Sequence, residues 1–249
     1  MTTTLFTFLI SFFVAGAILS LIWSPKKSIS NIISNLFSII GSLIGIILGG
    51  WILVTRETTS LTFVTGLPLF DISLRFDMLA AYFMLIIGIV GLASSLFGMG
   101  YMRQYFKVYN TGLFGFVYNL FLLSLFLVVT ASNGLYFLIV WEIMSLTSFF
   151  LVIFEHKHHE TISAGILYFI MTHAGTMFLF AAFILLYGAT HSFDFAQIRL
   201  LAGTIPGWLK DTVFVLALLG FGTKAGIIPL HIWLPKAHSA APSHVSALM

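Results

Sequence analysis

The stretch Gly134–Phe154 reads GLYFLIVWEIMSLTSFFLVIF, an apolar run with a single carboxylate, Glu142, near its centre. A second run, Thr212–Ile228, reads TVFVLALLGFGTKAGII and carries Lys224. A helix that crosses a bilayer needs about 20 largely apolar residues, with about 17 as the short limit. A charge at the middle of such a helix opposes insertion by roughly 2.5–3.5 kcal/mol on translocon scales. Two opposite charges kept at depth, one on each run, point to a polar pathway inside a helical bundle. The chain reads as part of a membrane ion-translocating subunit.

Composition agrees. Of 249 residues, 59% are hydrophobic and 8% charged, and the mean hydropathy is +1.08. Soluble domains carry about 25% charged residues, so a soluble globular fold is excluded. The formal charge of +3 is spread over the connections, without a basic stripe and interleaved aromatics, and no nucleic-acid partner is expected. The absence of cysteine excludes disulfides, thiolate metal sites and cysteine-held iron–sulfur clusters in this chain. The N-terminus has neither a positive leading region nor a small-residue cleavage pattern, so Thr4–Trp23 reads as a retained first helix. The 27 phenylalanines need no cofactor, and Trp23, Trp51 and Trp208 fit the membrane interfaces.

Outward from the two charged runs, seven stretches are expected to span the membrane: Thr4–Trp23, Ile32–Val54, Met78–Gly100, Gly112–Thr130, Gly134–Phe154, Thr161–Tyr187 and Thr212–Ile228. They are continuous rather than alternating, which rules out barrel strands and makes the fold an all-α polytopic membrane protein. The first, third and fifth connections hold Lys26, Lys27, Arg103, Lys107 and Lys157; the second, fourth and sixth hold Arg56, Arg75, Arg199 and Lys210. By the positive-inside rule the first set is cytoplasmic and the N-terminus outside, most simply in a bacterial inner membrane. In the second connection Phe70, Ile72, Leu74 and Phe76 alternate with Asp71, Ser73, Arg75 and Asp77, and Leu61 and Phe63 precede Gly66-Leu67-Pro68. That pattern predicts a β-hairpin on the outer surface near residues 60–77. Ser192–Leu201 reads as a short amphipathic helix capped by Ser192 or Asp194 and ended by Gly203 and Pro206.

Gly220, Gly222 and Gly226 crowd around Lys224, and Pro229 and Pro235 follow. Glycine loosens a helix and proline removes a backbone donor, so a broken seventh helix is expected here. Irregular backbone at membrane depth is tolerated where it lines a cavity or lies inside protein, and broken helices recur at transporter ion sites. Val245–Met249 opens another apolar segment, so the chain is expected to be a fragment or a split subunit.

Each ionisable residue has a plain reading and a functional one. Glu142 is either a neutral acid bonded to a neighbouring helix or a proton-site carboxylate; intramembrane acids are functional by default, which favours the second. Ser145, one turn along, lies on the same face and is placed to solvate it. Lys224 is either a static partner of Glu142 or a proton carrier, since a desolvated lysine changes its charge readily. His173 counts to about the depth of Glu142 and is equally a relay or a packing histidine. Glu155-His156-Lys157-His158-His159-Glu160 resembles metal-ligand material, but a charged turn explains it better, and no metal or catalytic residue is assigned. His231, His238 and His244 surround the broken region and Lys236 lies at the inner surface or in the path; all four are candidates for a hydrated route.

Trp141-Glu142-Ile143-Met144-Ser145-Leu146 resembles the Trp-Glu-x-x-Ser-Leu signature of antiporter-like subunits, which occur in complex I, in multisubunit cation/proton antiporters and in membrane-bound hydrogenases. Gly220-Phe221-Gly222-Thr223-Lys224-Ala225-Gly226, followed by Pro229-Leu230-His231 and Trp233-Leu234-Pro235, resembles the lysine-bearing broken helix of that family. Pro235-Lys236-Ala237-His238 and Ala241-Pro242-Ser243-His244 are spelled most like the hydrogenase-4 component B branch.

The resemblance implies a fold of two inverted five-helix repeats, of which this chain holds the beginning. Residues 1–109 would be three leading helices with the hairpin, and 110–249 an incomplete first repeat, helices four to seven and the start of an eighth. Glu142 would tune Lys224, and Lys224 would carry the proton in the first half-channel. The sixth helix of complex-I-type members often bears an acid where this chain has Gly175-Thr176. The implied role is a non-catalytic proton-relaying subunit of an NADH:quinone oxidoreductase-like or hydrogenase-4/formate hydrogenlyase-like complex. Other membrane subunits and peripheral redox subunits would be its partners. It would hold no cofactor itself; iron–sulfur clusters and a nickel–iron or quinone site would sit in those partners. The rival readings are an Mrp-type cation/proton antiporter subunit, a non-pumping scaffold half-subunit, and a haem-bearing cytochrome, the last disfavoured by the single central histidine.

Overall fold

The computed structural model of the chain describes residues 1–67 and 70–249. The helices are α1 (Thr2–Ile22), α2 (Lys27–Thr55), α3 (Met78–Tyr101), α4 (Thr111–Thr130), α5 (Gly134–Val152), α6 (His159–Thr190), α7 (Phe195–Leu201), α8 (Gly207–Ala225), α9 (Leu234–Ala240) and α10 (Ser243–Ser246). The strands β1 (Thr59–Leu67) and β2 (Phe70–Phe76) lie between α2 and α3. Among the described residues six helices, α1 to α6, are long and apolar enough to cross a membrane. The seventh run is helical as α8, but Lys210, Asp211 and Lys224 fall within its 19 residues, which sets it apart from those six in composition.

Side-chain oxygens start four of these helices. Asp77 accepts from the amide of Ala80, Asn110 from Gly112 and Leu113, Asn133 from Leu135 and Tyr136, and Asp194 from Gln197. Each such cap satisfies donors the helix leaves orphaned and contributes about 1 kcal/mol. Asp194, rather than Ser192, is the residue that caps α7.

α2 begins at Lys27, five residues before the hydrophobic run suggests. Its polar first turns face inward: Ser30, Asn31, Ser34, Asn35 and Ser38 are all buried. Asn119 of α4 donates to Ser34 Oγ at 3.0 Å and accepts from Ser38 Oγ at 3.0 Å. α4, beyond the expected boundary at 109–110, thus packs directly on α2. Small residues and interhelical hydrogen bonds hold helices together where lipid offers no hydrophobic drive.

The two strands pair antiparallel, Thr59 opposite Phe76 and Phe63 opposite Ile72. Leu74 and Phe76 are buried, and the Phe76 ring meets Phe6 edge-on at 4.8 Å. Ser73 is buried despite the alternation, because its carbonyl accepts the amide of Ser132 at 2.9 Å from the α4–α5 connection. Pro68, part of the expected turn, lies outside the described residues. The amide of Gly134 reaches the carbonyl of Phe193, so the second, fourth and sixth connections meet at one end of the bundle. At the other end Ser24 bonds Asn110 and Lys157 lies over the Tyr109 ring, which gathers the first, third and fifth.

The break in the seventh run lies after Lys224. α8 continues unbroken through Gly220 and Gly222 and stops at Gly226, whose φ of +72° favours glycine. The chain then turns through residues 227–233 before α9. Gly220 serves packing: a Cβ there would lie 2.6 Å from Leu179 Cγ and 2.9 Å from the Gly175 carbonyl of α6.

Candidate functional site

Lys224 occupies the last turn of α8, where α8 faces α5 and α6. It is half-buried. Its ammonium donates to Tyr168 Oη at 2.8 Å and, more weakly, to Ser145 Oγ at 3.5 Å. The Tyr168 and Trp141 rings lie 5.2 and 5.9 Å from the nitrogen, close enough for cation–π attraction. Among the described residues no carboxylate lies within 4.0 Å of it. The amine is therefore held by neutral hydroxyls and ring faces, which solvate a charge without fixing it.

Tyr168 is the organising group. It is 1% exposed, it shares a hydrogen bond of 2.6 Å with Ser148 Oγ, and its ring packs on Trp233 at 4.9 Å. Trp233 in turn donates to the Thr223 carbonyl at 2.8 Å, which ties the irregular segment back onto the end of α8. Sequence reasoning did not single out Tyr168; its spacing of five residues from His173 on one apolar helix was the available signal.

Glu142 is not paired with Lys224, so the static ion pair is absent. Its Oε2 lies 3.0 Å from His173 Nε2, and its Oε1 is enclosed without a hydrogen-bond partner. His173 Nδ1 lies 3.0 Å from the Phe169 carbonyl. A carbonyl only accepts, so Nδ1 carries a proton, and the Nε2–Oε2 contact then needs one more. That proton sits either on the imidazole, giving an ion pair, or on the carboxyl, giving a neutral pair. Ser145 stands between the two centres, one turn from Glu142 and in contact with Lys224 rather than with the acid.

The other candidates scatter along the irregular segment. His231 Nδ1 is enclosed and unpartnered. His238 Nδ1 bonds Ser246 Oγ at 3.0 Å and stacks on Trp233. Lys236 is exposed and lines a shallow cavity of about 430 Å³ with His159 and Glu160. His244 is 2% exposed. In the charged turn, Glu155 is engaged by Tyr105 and His156 by the Phe154 carbonyl. An open cleft of about 880 Å³ at the hairpin end, lined by Arg75, Asp77, Asp194 and Arg199, reaches inward to Trp141 and Phe221.

The sequence profile of the NADH:quinone oxidoreductase/Mrp antiporter transmembrane family matches residues 131–249, the part that holds Glu142, His173 and Lys224. That segment belongs to this family. Hydrogenase-4 component B of Escherichia coli is 44% identical to this chain over 179 residues, 72% of this chain and 26% of that protein. The chain spans about a quarter of the length of the curated relatives it matches. A chain of the Mrp complex from Dietzia sp. DQ12-45-1b superposes with a TM-score of 0.81 at 21% identity, over 98% of this chain and 26% of that one. A chain of the archaeal membrane-bound sulfane sulfur reductase superposes with a TM-score of 0.77 at 22% identity, over 95% and 48%. At such identities the likeness is one of fold. With its apolar spanning helices, the chain is an integral membrane protein.

Proposed function

We propose that this chain is the leading portion of a proton-translocating subunit of a hydrogenase-4-like or NADH:quinone oxidoreductase-like membrane complex. The observation that carries the reading is Lys224, a half-buried amine with hydroxyl and aromatic neighbours and, among the described residues, no carboxylate within 4.0 Å. Ionisable groups kept inside a membrane bundle without an opposite charge mark ion and proton pathways. Glu142 and His173 form the second element, because moving their shared proton creates or removes a pair of charges. The lysine then feels two opposite charges appear or vanish together, a weaker field than one charge would give at the same distance. α8 is then the seventh membrane helix, its charges tolerated because they face the bundle interior or the interface. α10 begins the eighth. The connections that carry Lys26, Lys27, Arg103, Lys107 and Lys157 face the cytoplasm of a bacterial inner membrane.

Redox chemistry belongs to partner subunits that carry iron–sulfur clusters and a nickel–iron or quinone site. The 44% identity to hydrogenase-4 component B favours that branch over an Mrp-type antiporter subunit. The test is Lys224→Met in the full-length subunit within its assembled complex, read as proton uptake by inverted membrane vesicles. Loss of uptake with normal assembly is expected; unchanged uptake overturns the reading in favour of a scaffold.

A further inference from the structure

The α4–α5 pair carries an apolar groove of about 490 Å³. Leu113, Val117 and Leu120 of α4 line one wall, and Ile143, Leu146 and Phe150 of α5 the other. Leu113, Ile143, Leu146 and Phe150 are exposed, so the groove opens outward. Thr147, a polar residue of the wall, returns its hydroxyl to the Ile143 carbonyl at 2.7 Å and keeps no donor for the groove.

The groove runs inward from the end of the bundle that gathers the first, third and fifth connections, with Asn110 and His156 at its mouth. From Asn110 to Leu120, and from Ile153 back to Ile143, each wall rises about 15 Å. That is half of a hydrocarbon core of about 30 Å, the depth of one leaflet. Beyond Leu120 every residue of α4 is buried or half-buried. A partner helix that crosses the bilayer calls for a groove of full depth, whereas an acyl chain fills one leaflet.

The mouth is basic. The three connections and the adjoining start of α2 hold Lys26, Lys27, Arg103, Lys107 and Lys157 against one acid, Glu155, which Tyr105 engages at 2.8 Å. Glu160 lies beyond, in the first turn of α6. Lys157 follows His156 directly and is exposed, with its Nζ 5.7 Å from the Tyr109 ring. Asn110 gives its oxygen to Ser24 and to the amides of Gly112 and Leu113, so its Nδ2 donors have no partner among the described residues. His156 places Nδ1 on the Phe154 carbonyl and leaves Nε2 unpartnered.

We propose that this groove binds one acyl chain of an anionic phospholipid, its phosphate held at the mouth by Lys157 and Asn110 beside His156. The buried chain supplies affinity and the basic mouth supplies selectivity for a negative headgroup. The site is separate from Lys224 and stands whether or not that lysine relays protons.

The test uses the full-length subunit in its assembled complex, delipidated in detergent. The probe is phosphatidylglycerol with a diazirine in its acyl chain, and the labelled peptides are mapped by mass spectrometry. Label is expected on α4 between Leu113 and Leu120 and on α5 between Ile143 and Phe150. Unlabelled phosphatidylglycerol is expected to displace it at lower concentration than phosphatidylcholine of the same chains. Lys157→Gln, a change at an exposed turn residue, is expected to weaken phosphatidylglycerol binding about fivefold and leave phosphatidylcholine unaffected. Leu113→Trp, at a residue 51% exposed, fills the groove and is expected to abolish the label. No label on these two segments, or label that persists in Leu113→Trp, overturns the proposal. Equal competition by the two lipids, or an unchanged Lys157→Gln, reduces the groove to ordinary contact with bulk lipid and overturns it as well. A photo-crosslinker placed at Leu113 that joins another subunit shows a protein in the groove, and this too overturns the lipid site.

Discussion

His173 Nε2 lies 3.0 Å from Glu142 Oε2 while the other nitrogen of the same ring lies 3.0 Å from the Phe169 carbonyl, so the acid and the imidazole hold one proton between them. The central carboxylate of α5 is thereby a partner of α6, and the amine of α8 is left to Tyr168 and Ser145. Glu142 and Lys224 act on each other through space rather than through a shared hydrogen bond. Moving the shared proton changes the field at the lysine without breaking any contact the lysine makes.

Glu142 and His173 should behave as one unit. A double-mutant cycle with Glu142→Gln and His173→Gln, read by thermal unfolding of the purified full-length subunit, is expected to give a coupling of about 1 kcal/mol or more. Additive losses would show that the pair is a chance approach.

Tyr168→Phe removes the hydroxyl that accepts from Lys224 and joins Ser148, and leaves the ring against Trp233. The expected cost is about 1–3 kcal/mol, the loss of a buried partner to a charged group. Proton uptake should fall as well, since the amine loses its closest ligand. A melting temperature and an uptake rate equal to wild type would contradict the geometry.

Gly220→Ala is expected to push α8 off α6, because the new methyl would meet Leu179 Cγ at 2.6 Å and the Gly175 carbonyl at 2.9 Å. Overpacking of this kind costs about 1–3 kcal/mol. Gly188→Ala, also in a helix but facing open space, is the control and should be neutral or mildly stabilising. Equal melting temperatures for the two variants would refute the close approach. The same crowding bears on Gly175, where a Cβ would lie 3.1 Å from Thr223 Cβ. A side chain at Gly175 would need Thr223 and the Gly220 carbonyl to give by a few tenths of an ångström.

The sequence by itself determined the membrane class, the runs that become helices and the hairpin, and it made Glu142 and Lys224 stand out. Those features are local. Continuous apolar length sets spanning helices, period-two alternation sets strands, and a charge inside an apolar run stands out whatever surrounds it. Even the helix starts were local, as Asp77, Asn110, Asn133 and Asp194 cap the elements they precede.

Tertiary structure alone decided which groups meet. Nothing in the order of residues says that Glu142 faces His173, or that Tyr168 takes Lys224. α5, α6 and α8 have little amphipathic signal, because both their buried and their exposed faces are apolar when lipid replaces water, so periodicity cannot tell which side turns inward. The break expected around Lys224 fell after it, at Gly226, because Gly220 serves close packing rather than a turn. The buried serines and asparagines of α2 lengthened a helix that hydropathy alone began late. Hydrophobicity places a segment in the membrane; the rotation of each helix, fixed only by its neighbours, places the proton-bearing side chains.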